Sequence, residues 1–236
     1  MRSSRSARAR AAREFEQSQA EYFRSEFTAQ KRFMQRAFQA LAYNGVDGDY
    51  VEFGCCGATT FALAWGAAQL TGHGAHLWAF DSFDGLPPSD HPIDDHIGWT
   101  PGAMAMTEAA FVATAVERGV PTAAFTTVPG FFAESLTSDR RLPDRIAFAY
   151  IDCDLYSSTM DVLRFLEPRL RHGMVIGCDD YYCYSAGHAS GERQALAEVF
   201  DEHDRWRLLP FVQWSWHGMS FVVESRHEGP PGVVGW

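Results

Sequence analysis

Residues 145–182, RIAFAYIDCDLYSSTMDVLRFLEPRLRHGMVIGCDDYY, constrain the fold more than any other stretch of the chain. Ile146 to Ile151 is an unbroken apolar run of strand length, and it ends on Asp152-Cys153-Asp154. Met160, Leu163, Leu166 and Leu170 then recur at helical spacing, which predicts a helix over 157–170. Ser157, Ser158 and Thr159 stand where its N-cap is expected. His172-Gly173 closes the helix, and residues 174–178 form a second apolar strand that ends on Asp179-Asp180. Strand–helix–strand units are parallel, so the two carboxyl ends lie side by side. Open α/β sheets bind their ligands at that edge. Carboxylates crowded there repel one another, and a hard divalent cation is their natural occupant.

The 236 residues suffice for one large domain with an extension. The expected division is a helical extension over 1–45, acting as packing layer, lid or subunit contact, an α/β domain over 46–228 and a loose tail over 229–236. A net charge of -10 without a basic stripe excludes nucleic acid as the main partner. No apolar run approaches the roughly 18 residues of a membrane span. The five cysteines form no CxxC pair and read as reduced residues of a cytoplasmic protein rather than a zinc site. The arginine-rich residues 1–13 read as a fraying helical start, with an organellar targeting segment as the alternative. Lys31 is the only lysine, a bias that suggests a GC-rich bacterial source.

Between residues 14 and 43 an aromatic-rich helical stripe runs through Phe15, Phe23, Phe27, Phe33, Met34, Phe38 and Leu41. A first strand carries Glu52 and turns at Gly54 and Gly57 into a helix. Two glycines are fewer than a dinucleotide fingerprint requires, but an acid on the strand before them is typical of S-adenosylmethionine sites. Asp81 ends the second strand, where an acid takes the ribose hydroxyls of a nucleoside or starts an Asx-turn. Residues 87–102 hold His91, Asp94, Asp95 and His96 in a loop that reads as substrate-facing or solvated rather than as a metal cluster. A third strand over 125–128 leads into Pro129-Gly130-Phe131-Phe132, an apolar turn suited to covering an adenine ring. A helix over 191–203 and two terminal strands, 206–213 and 219–224, complete the chain. Five strands alternating with helices and a terminal antiparallel pair give an α/β fold, a Rossmann-like seven-stranded sheet, mostly parallel, with an antiparallel last strand and N-terminal helices.

Taken in order, GDYVEFGCCGATTF, FDSFDGLP, VPGFF, IDCDLYSST and GCDDYY resemble the macrocin-type O-methyltransferases over residues 49–180, with a weaker echo in the last two strands. The resemblance implies a class I methyltransferase fold, an S-adenosylmethionine donor, a Mg²⁺ or Mn²⁺ ion and a vicinal diol acceptor. That acceptor is a sugar, as a glycoside or nucleotide sugar in antibiotic biosynthesis. Carried over by position, Asp152, Asp179 and Asp180 are the metal ligands and Asp154 the general base. Asp81 holds the ribose, and Glu52, Gly54, Gly57 and Asp152 lie near the methionine end. Ser82 and Phe83, with Gly130 and Phe131, lie near the adenosine. A cytoplasmic homo-oligomer is the expected setting. A catechol-type acceptor and a catalytically silent binding module are the alternatives, and Trp99, Trp214 and Trp216 are candidates to stack on either acceptor. An aspartate-nucleophile phosphohydrolase fits poorly, because Tyr156 stands where a threonine is needed and no core lysine exists.

Overall fold

The computed structural model describes residues 2–137 and 142–227, with side chains from Phe15 onward. The tail over 229–236 and the side chains of the arginine-rich start lie outside the described residues. In chain order the elements are α1 (Arg2–Tyr43), β1 (Asp49–Phe53), α2 (Thr59–Thr71), β2 (Leu77–Asp81), α3 (Glu108–Glu117), β3 (Phe125–Pro129), the single turn α4 (Phe132–Ser135), β4 (Ile146–Ile151), α5 (Tyr156–Leu166), β5 (Val175–Cys178), α6 (Gly191–Phe200), β6 (Trp206–Trp214) and β7 (Gly218–Ser225).

The strands make one sheet in the order β3-β2-β1-β4-β5-β7-β6. Strands β1 to β5 run parallel, while β7 is antiparallel to both β5 and β6. This is the expected Rossmann-like sheet with its last strand reversed. Chain order reverses between β1 and β4, which makes their carboxyl ends the switch point where such sheets open a crevice. The period of two divides β1 between the faces. Tyr50 joins Phe33, Phe38, Phe61 and Phe148 on one side, and Val51 and Phe53 join Ile151, Phe165 and Ile176 on the other. All six residues of β4 are buried, as its unbroken apolar run requires.

The aromatic stripe of α1 divides in two. Phe33, Met34, Phe38 and Leu41 are core residues, and Phe33 stacks on Trp214 with ring centroids 3.9 Å apart. Phe15, Phe23 and Phe27 are exposed. Trp214 is therefore part of the core and unavailable to an acceptor. Helix α5 starts one residue early and ends at Leu166, where Pro168 diverts the chain into a 3-10 turn over Glu167–Arg169. None of the three expected hydroxyls caps it, and the cap position is Leu155. The cap comes from the 87–102 loop instead: Asp94 accepts hydrogen bonds from the Tyr156 N–H at 2.6 Å and the Ser157 hydroxyl at 2.8 Å.

Gly54 sets how closely β1 approaches β4. Its φ is +86°, and a Cβ there would lie 1.8 Å from the Asp152 carbonyl oxygen. Gly54→Ala is expected to lower unfolding stability by about 3 kcal/mol or more. Gly66→Ala, at an exposed position of α2 with open space around it, is expected to raise it by about 0.5–1 kcal/mol. Urea denaturation of both variants checks the pair; equal effects would show that the contact at Gly54 yields freely.

Candidate active site

The strand ends are tied edge to edge by the backbone. The Gly54 N–H donates to Phe80 O at 2.8 Å, Asp152 N–H to Phe53 O at 2.9 Å and Asp179 N–H to Ile151 O at 2.9 Å. Beside them lies a cavity of about 430 Å³ whose walls include Gly54, Asp81, Ser82, Phe131, Asp152 and Asp154. Leu86, Pro87 and Met104 close it from the loop side. Of the residues expected at a donor site, Gly54, Asp81, Ser82, Phe131 and Asp152 line this cavity, while Glu52, Gly57, Phe83 and Gly130 do not.

Each of the four has a visible reason. Glu52 shares the inward face of β1 with Tyr50 and is fully buried. It accepts from the Tyr50 hydroxyl at 2.5 Å and the Thr60 hydroxyl at 2.6 Å, tying β1 to the start of α2. Gly57 supplies a φ of +79° to the turn. Phe83 turns back on Phe111, with ring centroids 5.7 Å apart, and its N–H donates to Asp81 Oδ1 at 2.7 Å. Gly130 donates its N–H to the Asp81 carbonyl at 3.0 Å. The second carboxylate oxygen of Asp81 accepts from Cys55 N–H at 2.7 Å. Asp81 is thus both the Asx-turn acceptor and a cavity wall. Burial raises its pKa, and the two N–H groups oppose that rise.

The structure brings Asp152, Asp154, Asp179 and Asp180 together. Asp154 is buried in a left-handed conformation, with φ +60°, which an aspartate tolerates better than most residues. Burial raises the pKa of Asp154, the Asp180 carboxyl adds to that rise and the Trp99 indole opposes it. Burial and then Asp179 raise that of Asp180. Asp152 is raised by its surroundings first, then by Asp179, Asp180, Asp154 and Glu192. The Tyr150 hydroxyl donates to Asp179 Oδ1, and Gln30 of α1 reaches the same oxygen at 3.5 Å. His217 donates its Nδ1–H to the Asp179 carbonyl at 2.7 Å and faces Glu26 through Nε2 at 3.4 Å.

Among the described residues no Lys or Arg pairs with any of these four acids. Nor do three His, Cys, Asp or Glu side chains among them converge as a finished metal-ligand set. The histidines and acids of the 87–102 loop serve the loop itself: His91 stacks on Tyr156, His96 on Trp99, and Asp94 caps α5. Sequence reasoning named Asp94 but missed its capping of α5. It also missed the influence of Trp99 on Asp154 and, at the start of α6, the fully buried acid Glu192. Only Ser190-Gly191-Glu192, a cap followed by a first-turn acid, hinted at the last.

Residues 13–202 match the family described as Macrocin-O-methyltransferase (TylF). The chain is 29% identical over 195 residues to Mycinamicin III 3''-O-methyltransferase of Micromonospora griseorubida, covering 74% of each chain. It is 30% identical over 189 residues to 8-demethyl-8-(2,3-dimethoxy-alpha-L-rhamnosyl)-tetracenomycin-C 4'-O-methyltransferase of Streptomyces olivaceus, covering 72% of this chain and 68% of that one. Among solved structures the fold is similar to that of the O-methyltransferase NovP, with a TM-score of 0.68, 22% identity and coverage of 84% of this chain and 80% of the other. It is also similar to that of CalS11, a calicheamicin methyltransferase, with a TM-score of 0.62, 22% identity and coverage of 81% and 77%.

Burial lifts the Glu52 carboxyl from 4.5 to about 8, against the pull of its two hydroxyl donors. The folded chain then keeps a proton that the unfolded chain releases near pH 4.5. Its contribution to stability is full below that pH and is lost as pH rises toward about 8. Glu52→Gln is expected to flatten the fall in stability between pH 5 and 8, measured by urea denaturation at each pH. An unchanged slope would show that Glu52 is ionised in the folded protein.

Proposed function

The chain belongs to the macrocin O-methyltransferase family of S-adenosylmethionine-dependent enzymes, and on that premise we propose that it methylates one hydroxyl of a vicinal diol on a sugar. The sugar is carried by a natural-product glycoside or a nucleotide. One observation carries the reading: Asp152 and Asp154, which follow β4, line the cavity at the switch point, and Asp179 and Asp180 follow the neighbouring strand β5 close enough to raise the pKa values of both. The relative from Streptomyces olivaceus, named for a rhamnosyl-bearing compound, supports a sugar acceptor.

Asp81 takes the ribose hydroxyls of the donor with the carboxylate faces left free by Cys55 and Phe83. Ser82 and Phe131 flank the adenine, and Gly54 and Asp152 lie toward the methionine end. Glu52, Gly57, Phe83 and Gly130 act from behind the wall, by fixing the turns that form it. The donor supplies an activated methyl group, so most of the rate comes from holding the attacking oxygen in line with it.

A sugar hydroxyl ionises far above neutral pH and needs a base. Asp154 is the group placed to take its proton. Trp99 and Asp180 act on the Asp154 carboxyl, and its left-handed backbone turns it off the line of β4. Asp152, Asp179 and Asp180 are the residues that would hold a cation. The donor set is all oxygen, no Lys or Arg among the described residues pairs with it, the His217 ring stands 3.5 Å from Asp179 Oδ2, and Asp180 Oδ2 is buried without a hydrogen-bond partner. Such a set fits a hard ion. Bound there, Mg²⁺ or Mn²⁺ supplies the charge that lowers a hydroxyl pKa and orients a diol.

Asp154→Asn is expected to bind S-adenosylmethionine normally by calorimetry while kcat falls by roughly 10²–10⁴. Near-normal turnover at saturating substrate would remove Asp154 as the base. Asp179→Ala is expected to demand more Mg²⁺ for half-maximal activity. Methyl transfer assayed with and without EDTA, across nucleotide sugars, glycosylated natural products and catechols, tests the rest. Activity that survives rigorous chelation would eliminate the cation, and a preference for catechols would move the acceptor class.

A further inference from the structure

Glu192 is 0% exposed. A glutamate is almost never buried this fully unless it is paired, and among the described residues no Lys or Arg meets it. Helix α6 does not require it, because Ser190 already caps the helix by accepting from the Arg193 N–H at 3.3 Å. The attraction of a first-turn acid to the helix dipole is available to an exposed side chain as well. Its placement is explained by what it touches. Glu192 Oε2 accepts from the Asp180 N–H at 2.9 Å, and the Ser190 hydroxyl donates to the Asp180 carbonyl at 2.7 Å. Both sides of Asp180 are therefore held by the start of α6. Gly191 presses the same turn against α5, since a Cβ there would lie 2.5 Å from the Tyr156 nitrogen.

Two carboxylate oxygens are left over. Glu192 Oε1 and Asp180 Oδ2 are both buried without a hydrogen-bond partner. Buried acceptors of this kind are costly to leave unmet, and the two belong to acids joined by a hydrogen bond. We propose that Glu192 is a further acidic member of the cation site, which holds Asp180 in position and tightens divalent-cation binding with its own charge. This rests on the cation reading above and adds a residue to it. Cation affinity in oxygen sites rises with the number of charged groups around the ion.

Direct binding of Mn²⁺ to the metal-free full-length protein, followed by electron paramagnetic resonance, tests this without turnover. Glu192→Gln keeps the shape and an acceptor for the Asp180 N–H but removes the charge. It is expected to weaken Mn²⁺ binding about tenfold, with S-adenosylmethionine affinity and circular dichroism unchanged. Glu192→Asp keeps the charge and is expected to stay within about threefold of wild type. That variant carries the test should the Gln variant not fold, and a loss beyond tenfold in it overturns the proposal. Equal Mn²⁺ affinity in wild type and Glu192→Gln would reduce Glu192 to a neutral acceptor for Asp180. Failure of the wild type itself to bind Mn²⁺ would instead bring down the cation reading, and this inference with it.

Discussion

Like charges gathered at adjoining strand ends push one another apart, and this chain holds them together with backbone rather than with counter-charge. Two carboxylates about 4 Å apart repel by roughly 4 kcal/mol at an effective dielectric near 20. Against that stand the large side chains of a strand buried at every position, each contributing about 1.5–3 kcal/mol. Lateral hydrogen bonds from Asp152 and Asp179 then leave the tips no freedom to splay. The start of α6 and the Tyr150 hydroxyl complete the restraint. Protonation is one relief open to such a cluster, and the raised pKa values of Asp152, Asp154 and Asp180 express that tendency. A bound cation would be the other.

The loop over 87–102 is part of the same arrangement. Asp94 places its charge on the unsatisfied N–H groups of α5, where the helix dipole favours an anion. The loop is thereby anchored to Tyr156 and Ser157, two and three residues after Asp154, and Trp99 of the same loop lowers the Asp154 pKa. Backbone strain gathers here too. Phe83, Met104 and Asp154 all have positive φ, and each stands in or next to the cavity wall. Strain of this kind persists only where the surroundings over-determine it.

Much of the fold was legible because its signals are local. The apolar run of β4, the spacing of α5 and the acids that follow β4 and β5 lie within 38 consecutive residues, 145–182, and parallel pairing does the rest. The direction of Glu52 was legible as well, since the period of two puts it on the same face as Tyr50, inward and away from the tip. Reading it as a donor contact gave motif position more weight than strand geometry. The division of the α1 stripe was not legible. Phe23 and Phe33 carry the same pattern, and only tertiary cover distinguishes them. Trp214 was hidden for the same reason, because its partner Phe33 lies 181 residues earlier (214 minus 33). For Glu192 the sequence marked only a capped helix start, and a first-turn glutamate there is ordinarily exposed.

The two sides of the cavity draw on different parts of the chain. The wall assigned to the donor comes from the turns after β1, β2 and β3, where backbone N–H groups and Asp81 do most of the holding. The acids assigned to acceptor chemistry follow β4 and β5, and besides Tyr150 and the start of α6 they are flanked by elements from outside the repeating strand–helix units. Gln30 and Glu26 of α1 reach Asp179 and His217, Ser215 donates to Glu26, and Trp216 donates to the Tyr22 hydroxyl at 3.1 Å. Helix α1 and the β6–β7 hairpin are thus fastened to each other directly beside the acidic tip. Changes in either element alter the approach to Asp179 without touching the Asp81 wall. On the proposed assignment, donor and acceptor are held by different parts of the fold, so a substitution in α1 or the β6–β7 hairpin would act on the acceptor side first.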